Sequence, residues 1–316
     1  MGKKLRDTSE SDFHNDLSYG KAVVVCYDDG VVQGGNAGFM LCFLKSPEDF
    51  LGMNAPGPDL RILVELCTGG IDDVQLAADL QVDRIELNCG MAVGGLTPPA
   101  GLVTAARRIF PGPIMAMVRP REAGFAYSEA EFWQMLDDCE FLLASGMNGL
   151  AIGCLMPDGH IDIDRCTQLR RRFPTTTLVC HKAFDVTPDL QLASRQLIDC
   201  GFNRILTSGG FVAAIDGCRT IRSLLDAYGS QIEYVVGGGV RAHNLAAVVR
   251  ESGCDQIHSA VRGVVVDPST NGNDALNFGD IHPAGVSGYG AVDGSQFRDL
   301  MGVASGIFVK RRVTET

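Results

Sequence analysis

The sequence has no apolar run approaching the ~20 residues that cross a bilayer, so no helical membrane span is expected. An excess of positive charge is absent as well: 27 Lys and Arg stand against 38 Asp and Glu, for a net charge of -11. That balance excludes a general nucleic-acid binder, which needs basic residues to neutralise phosphates. It leaves room for a local basic pocket around a small anion. The eleven cysteines contain no C-x-x-C pair, and their number is odd. A disulfide framework is therefore not expected. Several, such as Cys67, Cys154 and Cys180, sit inside apolar runs and read as reduced thiols of a cytoplasmic protein. The first twenty residues lack the apolar core of a secretory signal, and MGKKLR puts Arg6 where a myristoylation signal has Ser or Thr. No G-x-G-x-x-G follows the first apolar run of strand length, which disfavours an open dinucleotide-binding sheet.

What is present is a rhythm. Apolar runs of strand length begin near Ile62, Arg84, Ile114, Gly149, Thr177, Arg204, Ile232 and Gln256. Helical apolar spacing fills the intervals. Ile71, Val74, Ala77, Ala78 and Leu80 share one face, Pro98 and Pro99 open a second helix, and Ser128 with Glu131 forms a capping box for a third. Further helices are read over 189–200, 213–228, 243–252 and 296–304. Strands alternating with helices pair in parallel through right-handed crossovers, and eight such units close as an α/β TIM (β/α)8 barrel. Residues 1–59 lack the rhythm and read as an N-terminal extension, partly irregular and too short for a core of its own. The barrel is expected over 60–308, with 264–292 as a long Gly-, Asp- and Asn-rich loop and 309–316 as a polar tail.

A barrel gathers its chemistry at the C-terminal ends of its strands. The stretch Leu155 to Asp162, LMPDGHID, shows the pattern: a turn, a histidine and two acids directly after an apolar run. Glu65 and Cys67 share one face of the first strand, as Glu86 and Asn88 do in the second. Acids inside apolar strands are costly unless paired or used, and Arg119, at the end of IMAMVRP, offers a counter-charge. His181 and His258 also fall at strand ends. Glu65, Glu86, Arg119 and His181 are therefore the candidate catalytic residues, a carboxylate and imidazole set suited to acid–base work. Buried Glu–Arg pairs also occur as plain structural pegs.

The glycine clusters suggest an anion site. Ser208 and Gly209 follow the sixth strand, Gly238 and Gly239 the seventh, and Ser259 the eighth. Barrels often hold phosphate on backbone N–H groups of the last loops. A soft-metal site is a third candidate, since Cys67, Cys89, Cys154, Met156 and Cys180 lie near strand ends, although none has metal-ligand spacing.

These motifs resemble the CutC family of copper homeostasis proteins. The resemblance rests on ILVELC at 62–67, DRIELN at 83–88, GGLTP at 94–98, MVRPR at 117–121, PDGHID at 157–162, HKAFD at 181–185, RILTSGG at 204–210 and GGGVR at 237–241. It covers residues 60 to about 260, in unbroken order. It implies a TIM barrel, a cytoplasmic protein, a homodimer or homotetramer, and a role in copper tolerance with copper(I) bound. It implies no particular reaction. The alternative, read from the residues, is a TIM-barrel enzyme using Glu and His on a small phosphorylated or otherwise anionic substrate. The chain departs from the family at Asn88, where the family has cysteine, and Cys89 follows one residue later. A one-residue shift on a strand reverses the face. The expected metal residues are Cys67 and Cys89, the latter only if the loop bends. Lys182 replaces the arginine usual beside His181 and loses its fork geometry.

Overall fold

Short apolar runs bounded by polar turns become the inner wall of the domain. The computed structural model describes residues 60–270, 272, 280–281 and 287–309. Eight parallel strands close a barrel: β1 (Leu63–Thr68), β2 (Arg84–Leu87), β3 (Ile114–Val118), β4 (Gly149–Ile152), β5 (Thr177–Cys180), β6 (Arg204–Thr207), β7 (Glu233–Gly237) and β8 (Gln256–Ser259). β1 pairs with β8 from Leu63↔Gln256 to Leu66↔Ser259, which completes the ring. The expected TIM barrel is therefore the fold of these residues. The proposed extension 1–59 and tail residues 310–316 lie outside them. Val309 pairs with Leu60 in a short antiparallel bridge between the two ends of the domain.

Helices wrap the outside: α1 (Ile71–Asp79), α2 (Ala100–Ile109), α3 (Glu129–Ala144), α4 (Ile163–Arg172), α5 (Leu190–Asp199), α6 (Ala214–Tyr228), α7 (Ala242–Ser252) and α8 (Gly294–Ala304). None of the described helices is long and apolar enough to cross a membrane. The capping box expected for α3 is present: Ser128 Oγ accepts from the Glu131 N–H, and Glu131 accepts from the Ser128 N–H. In α8, Asp293 caps the N-terminus, and Phe297, Leu300 and Ala304 face inward.

The strands alternate between two cores. Outward residues such as Val64, Leu66, Ile85, Leu87, Ile152 and Ile257 pack with the helices in the main cluster. Inward residues Met115, Val179, Leu206 and Val235 form a separate cluster inside the ring. On the first two strands the inward positions are polar. Glu65, Arg84 and Glu86 are each at most 4% exposed, so the lumen is plugged on one side by charge rather than hydrocarbon.

The region read as a loop contains secondary structure. After β8 the chain forms β9 (Arg262–Val266), paired antiparallel with β10 (Ser287–Val292), and Asp280–Ile281 adds a third short strand. The sequence hid this hairpin because Val264, Val265 and Val266 are all exposed. A ribbon open on both faces has no apolar–polar alternation to betray it.

Candidate functional site

Cross-strand register brings the polar residues together. Glu65 lies opposite Arg84, Cys67 opposite Glu86, and Glu65 opposite His258. Glu65 is bound on both oxygens: one meets the Arg84 guanidinium, and the other receives His258 Nδ1 at 2.8 Å. Burial pushes the Glu65 carboxyl up, but Arg84 and His258 outweigh burial and hold it down at about 2. Glu65 is thus an ionised anchor. Its counter-charge is Arg84 on the neighbouring strand, not Arg119 as the sequence suggested. Arg84 was missed because it opens the run RIEL at the foot of β2, and only the register reveals its partner.

One layer higher, Cys67, Glu86 and His258 form a cluster whose ligand atoms lie within 4.8 Å of one another. Asn88 Nδ2 donates to Glu86 Oε1 at 3.1 Å and to Cys67 Sγ at 3.5 Å. Burial raises the Cys67 thiol above its usual range. Burial also raises Glu86, against the pull of His258. For His258 burial works downward, but Glu86, Cys67 and Glu65 prevail and lift it well above the usual imidazole range. Both directions favour the protonated forms, a thiol at Cys67 and an imidazolium at His258. Gly237 makes the room, since a Cβ there would sit 3.1 Å from the His258 ring and 2.8 Å from Leu206.

Cys89 does not join this cluster. It is half-buried in the loop after β2, where its thiol donates to the Thr97 carbonyl at 3.1 Å and its backbone bridges Leu96. It faces a separate cleft of about 380 Å³ bounded by Pro98, Pro99, Asp138 and Phe141. Here the rule of alternating faces holds, and the loop does not bend Cys89 back.

Arg119 is buried and committed to backbone. Its Nη1 donates to the carbonyls of Val93 and Gly95, and its Nη2 to that of Ala123, each at 2.8 Å. It ties the loop after β2 to the loop after β3. Arg119→Lys keeps the charge and loses the fork. We expect it to cost about 3 kcal/mol, because Lys can keep only one of the three charge-assisted hydrogen bonds. Hydrogen exchange should quicken in 90–97 and 119–125; unchanged exchange there would refute the role.

His181 directly follows β5, at 2% exposure. Its Nδ1 accepts from the Ala183 N–H at 3.2 Å, and its ring lies 5.0 Å from that of Phe125. Burial, and then the nearby Arg119, pull its pKa down to about 3, so it stays neutral. The glycine loops are differently employed. Asp185 occupies the N–H cradle after β6: it accepts from the backbone of Ser208 and of Gly210, and from both adjacent hydroxyls. Lys182 completes this group, 2.7 Å from Asp185 and 2.6 Å from Ser208 Oγ. Gly209 donates to Thr207 Oγ1 and Ser259 to the Val240 carbonyl. Gly238 and Gly239 take positive φ, 120° and 66°, in the turn into α7. Of LMPDGHID, Asp162 caps α4 and Asp158 turns the loop onto the His160 N–H. That stretch builds a turn and stays apart from the cluster.

Comparison with known proteins places this architecture. The chain matches the CutC family over residues 62–263. It is 38% identical to a CutC family protein of Treponema denticola over 219 residues, spanning 69% of this chain and 89% of that protein. It is 30% identical to the human copper homeostasis protein cutC homolog over 247 residues, spanning 78% of this chain and 90% of that one. Among solved structures, a CutC from Streptococcus agalactiae superposes with a TM-score of 0.60 at 32% identity, covering 63% of this chain and 98% of that one.

Proposed function

This chain belongs to the CutC family of copper homeostasis proteins, and on that premise we propose that it carries copper(I) on Cys67 and His258 at the barrel mouth. The observation that supports this reading is the buried Cys67–Glu86–His258 cluster. A thiolate and an imidazole suit copper(I); a carboxylate is a hard donor that the ion does not seek. With His258 Nδ1 engaged by Glu65, the other ring nitrogen is the one left for a metal. That carboxylate–imidazole arrangement is how metal-binding histidines are usually oriented. Glu86 and Asn88 then steady the sulfur, with Asn88 standing where relatives carry a second cysteine. The rest of the reading is a cytoplasmic homodimer or homotetramer, in a compartment that keeps its cysteines reduced.

Copper must displace the Cys67 and His258 protons, so binding releases protons. Both groups titrate above their usual values. Affinity should therefore climb as pH rises, by up to about tenfold per pH unit for each proton displaced. Competition titrations with a copper(I) chelator at pH 6, 7 and 8 test this. An affinity flat across that range would remove the assignment. The alternative, an enzyme acting on a small anion, would rest on Glu86 for its acid–base step, because Glu65 and Arg119 are already paired.

A further inference from the structure

The cluster occupies one side of the mouth; the opposite side carries an unmet donor. Because the Ala183 N–H points at His181 Nδ1, the proton of the neutral imidazole resides on Nε2. That Nε2 is buried and has no hydrogen-bond partner among the described residues. Two other polar atoms are buried and unpaired among the described residues, the donor Arg119 Nε and the acceptor Asn88 Oδ1. The Gly95 carbonyl accepts from Arg119, the Arg119 guanidinium lies 5.3 Å from the Phe125 ring, and the centroid of that ring is 5.0 Å from that of His181. Leaving a buried donor unpaired is costly, and native structures rarely do so without a use.

We propose that His181 Nε2–H and Arg119 Nε form a subsite for a small oxyanion, the carboxylate or phosphate group of a small molecule, across the mouth from the copper cluster. An imidazole donor next to a fixed cation favours an acceptor that is negatively charged. Phe125, whose ring packs on that of His181, is half-buried on a loop whose neighbours Ala123, Gly124 and Ala126 are exposed. This position differs from the glycine loops, where Asp185 already fills one cradle with the chain's own carboxylate.

The test uses the full chain with ¹⁵N-labelled histidine in a buffer free of oxyanions, titrated separately with inorganic phosphate and with acetate. The His181 Nε2–H signal should shift and saturate with at least one of them; phosphate alone identifies a phosphoryl ligand and acetate alone a carboxylate. His181→Phe, which keeps an aromatic ring and removes the donor, should weaken that binding about tenfold or more by calorimetry. A Cys67→Ser background should leave it unchanged, which separates this subsite from the copper reading. A His181 signal that neither anion moves would overturn the proposal, as would equal affinity in His181→Phe. The wild-type spectra decide the matter even if the variant fails to fold.

Discussion

Glu65→Gln should be the most destabilising polar substitution in the barrel, lowering stability by about 3 kcal/mol. The amide keeps the shape and removes the charge that Arg84 and His258 face. Breaking a buried pair from one side strands the other charge, which typically costs about 3–5 kcal/mol. The titration of Glu65 gives the same size. It ionises at about 2 in the fold against 4.5 without it, and at about 1.4 kcal/mol per unit this is again about 3 kcal/mol. The sign follows from the lowered value: this stabilisation is present above pH 4.5 and disappears as pH falls towards 2. His258 has the opposite sign. Its raised pKa gives a contribution that is complete below pH 6.5 and declines as pH rises through its folded value. Wild-type stability should therefore fall on both sides of a plateau, and Glu65→Gln should flatten the acid limb. Thermal unfolding should register a drop of roughly 6–12 °C in Tm for a domain of this size. Adding Arg84→Met should recover part of the loss, because the stranded charge is then gone. A single mutant as stable as wild type would show that the triad of charges is not what plugs this side of the lumen.

The second large effect is on the metal. Cys67→Ser should reduce copper(I) affinity at least about 100-fold, since it removes the soft anionic donor of the cluster while changing almost no volume. Cys89→Ser should leave affinity untouched, because that thiol is turned towards the Thr97 carbonyl in a separate cleft. The pair of variants matters more than either alone. Equal losses would mean that the two cysteines share the ion and that the loop after β2 rearranges on binding. Glu65→Gln should also weaken copper about 10- to 100-fold, through the lost orientation of His258.

Much of this architecture was legible in the chain. Buried parallel strands read as continuous apolar runs, so their starts at Arg84, Ile114, Gly149, Thr177, Arg204 and Gln256 could be placed to the residue. Glu65, Glu86, Arg119, His181 and His258 could all be placed at strand ends; the register gathers Glu65, Glu86 and His258 with Cys67, while Arg119 and His181 stand outside that cluster. What parity cannot supply is stagger. Arg84 pairs with Glu65 because β2 is displaced along β1, and no feature of RIEL announces that displacement. Nor does sequence tell which polar loop atoms are already satisfied. Ser208 and Gly209 have the composition of an anion cradle, and only coordinates show Asp185 sitting in it. Arg119 looked like the counter-charge of the strand acids; its fork turned out to be spent on three carbonyls. Asn88 looked like a lost ligand and proves to be the donor that joins Cys67 to Glu86.

Copper K-edge X-ray absorption on the protein loaded with one equivalent of copper(I) addresses the metal assignment head-on. Coordination by a single sulfur together with an imidazole nitrogen is the outcome that a Cys67–His258 centre requires. A spectrum fitted by two sulfurs, or by oxygen and nitrogen with none, would contradict it.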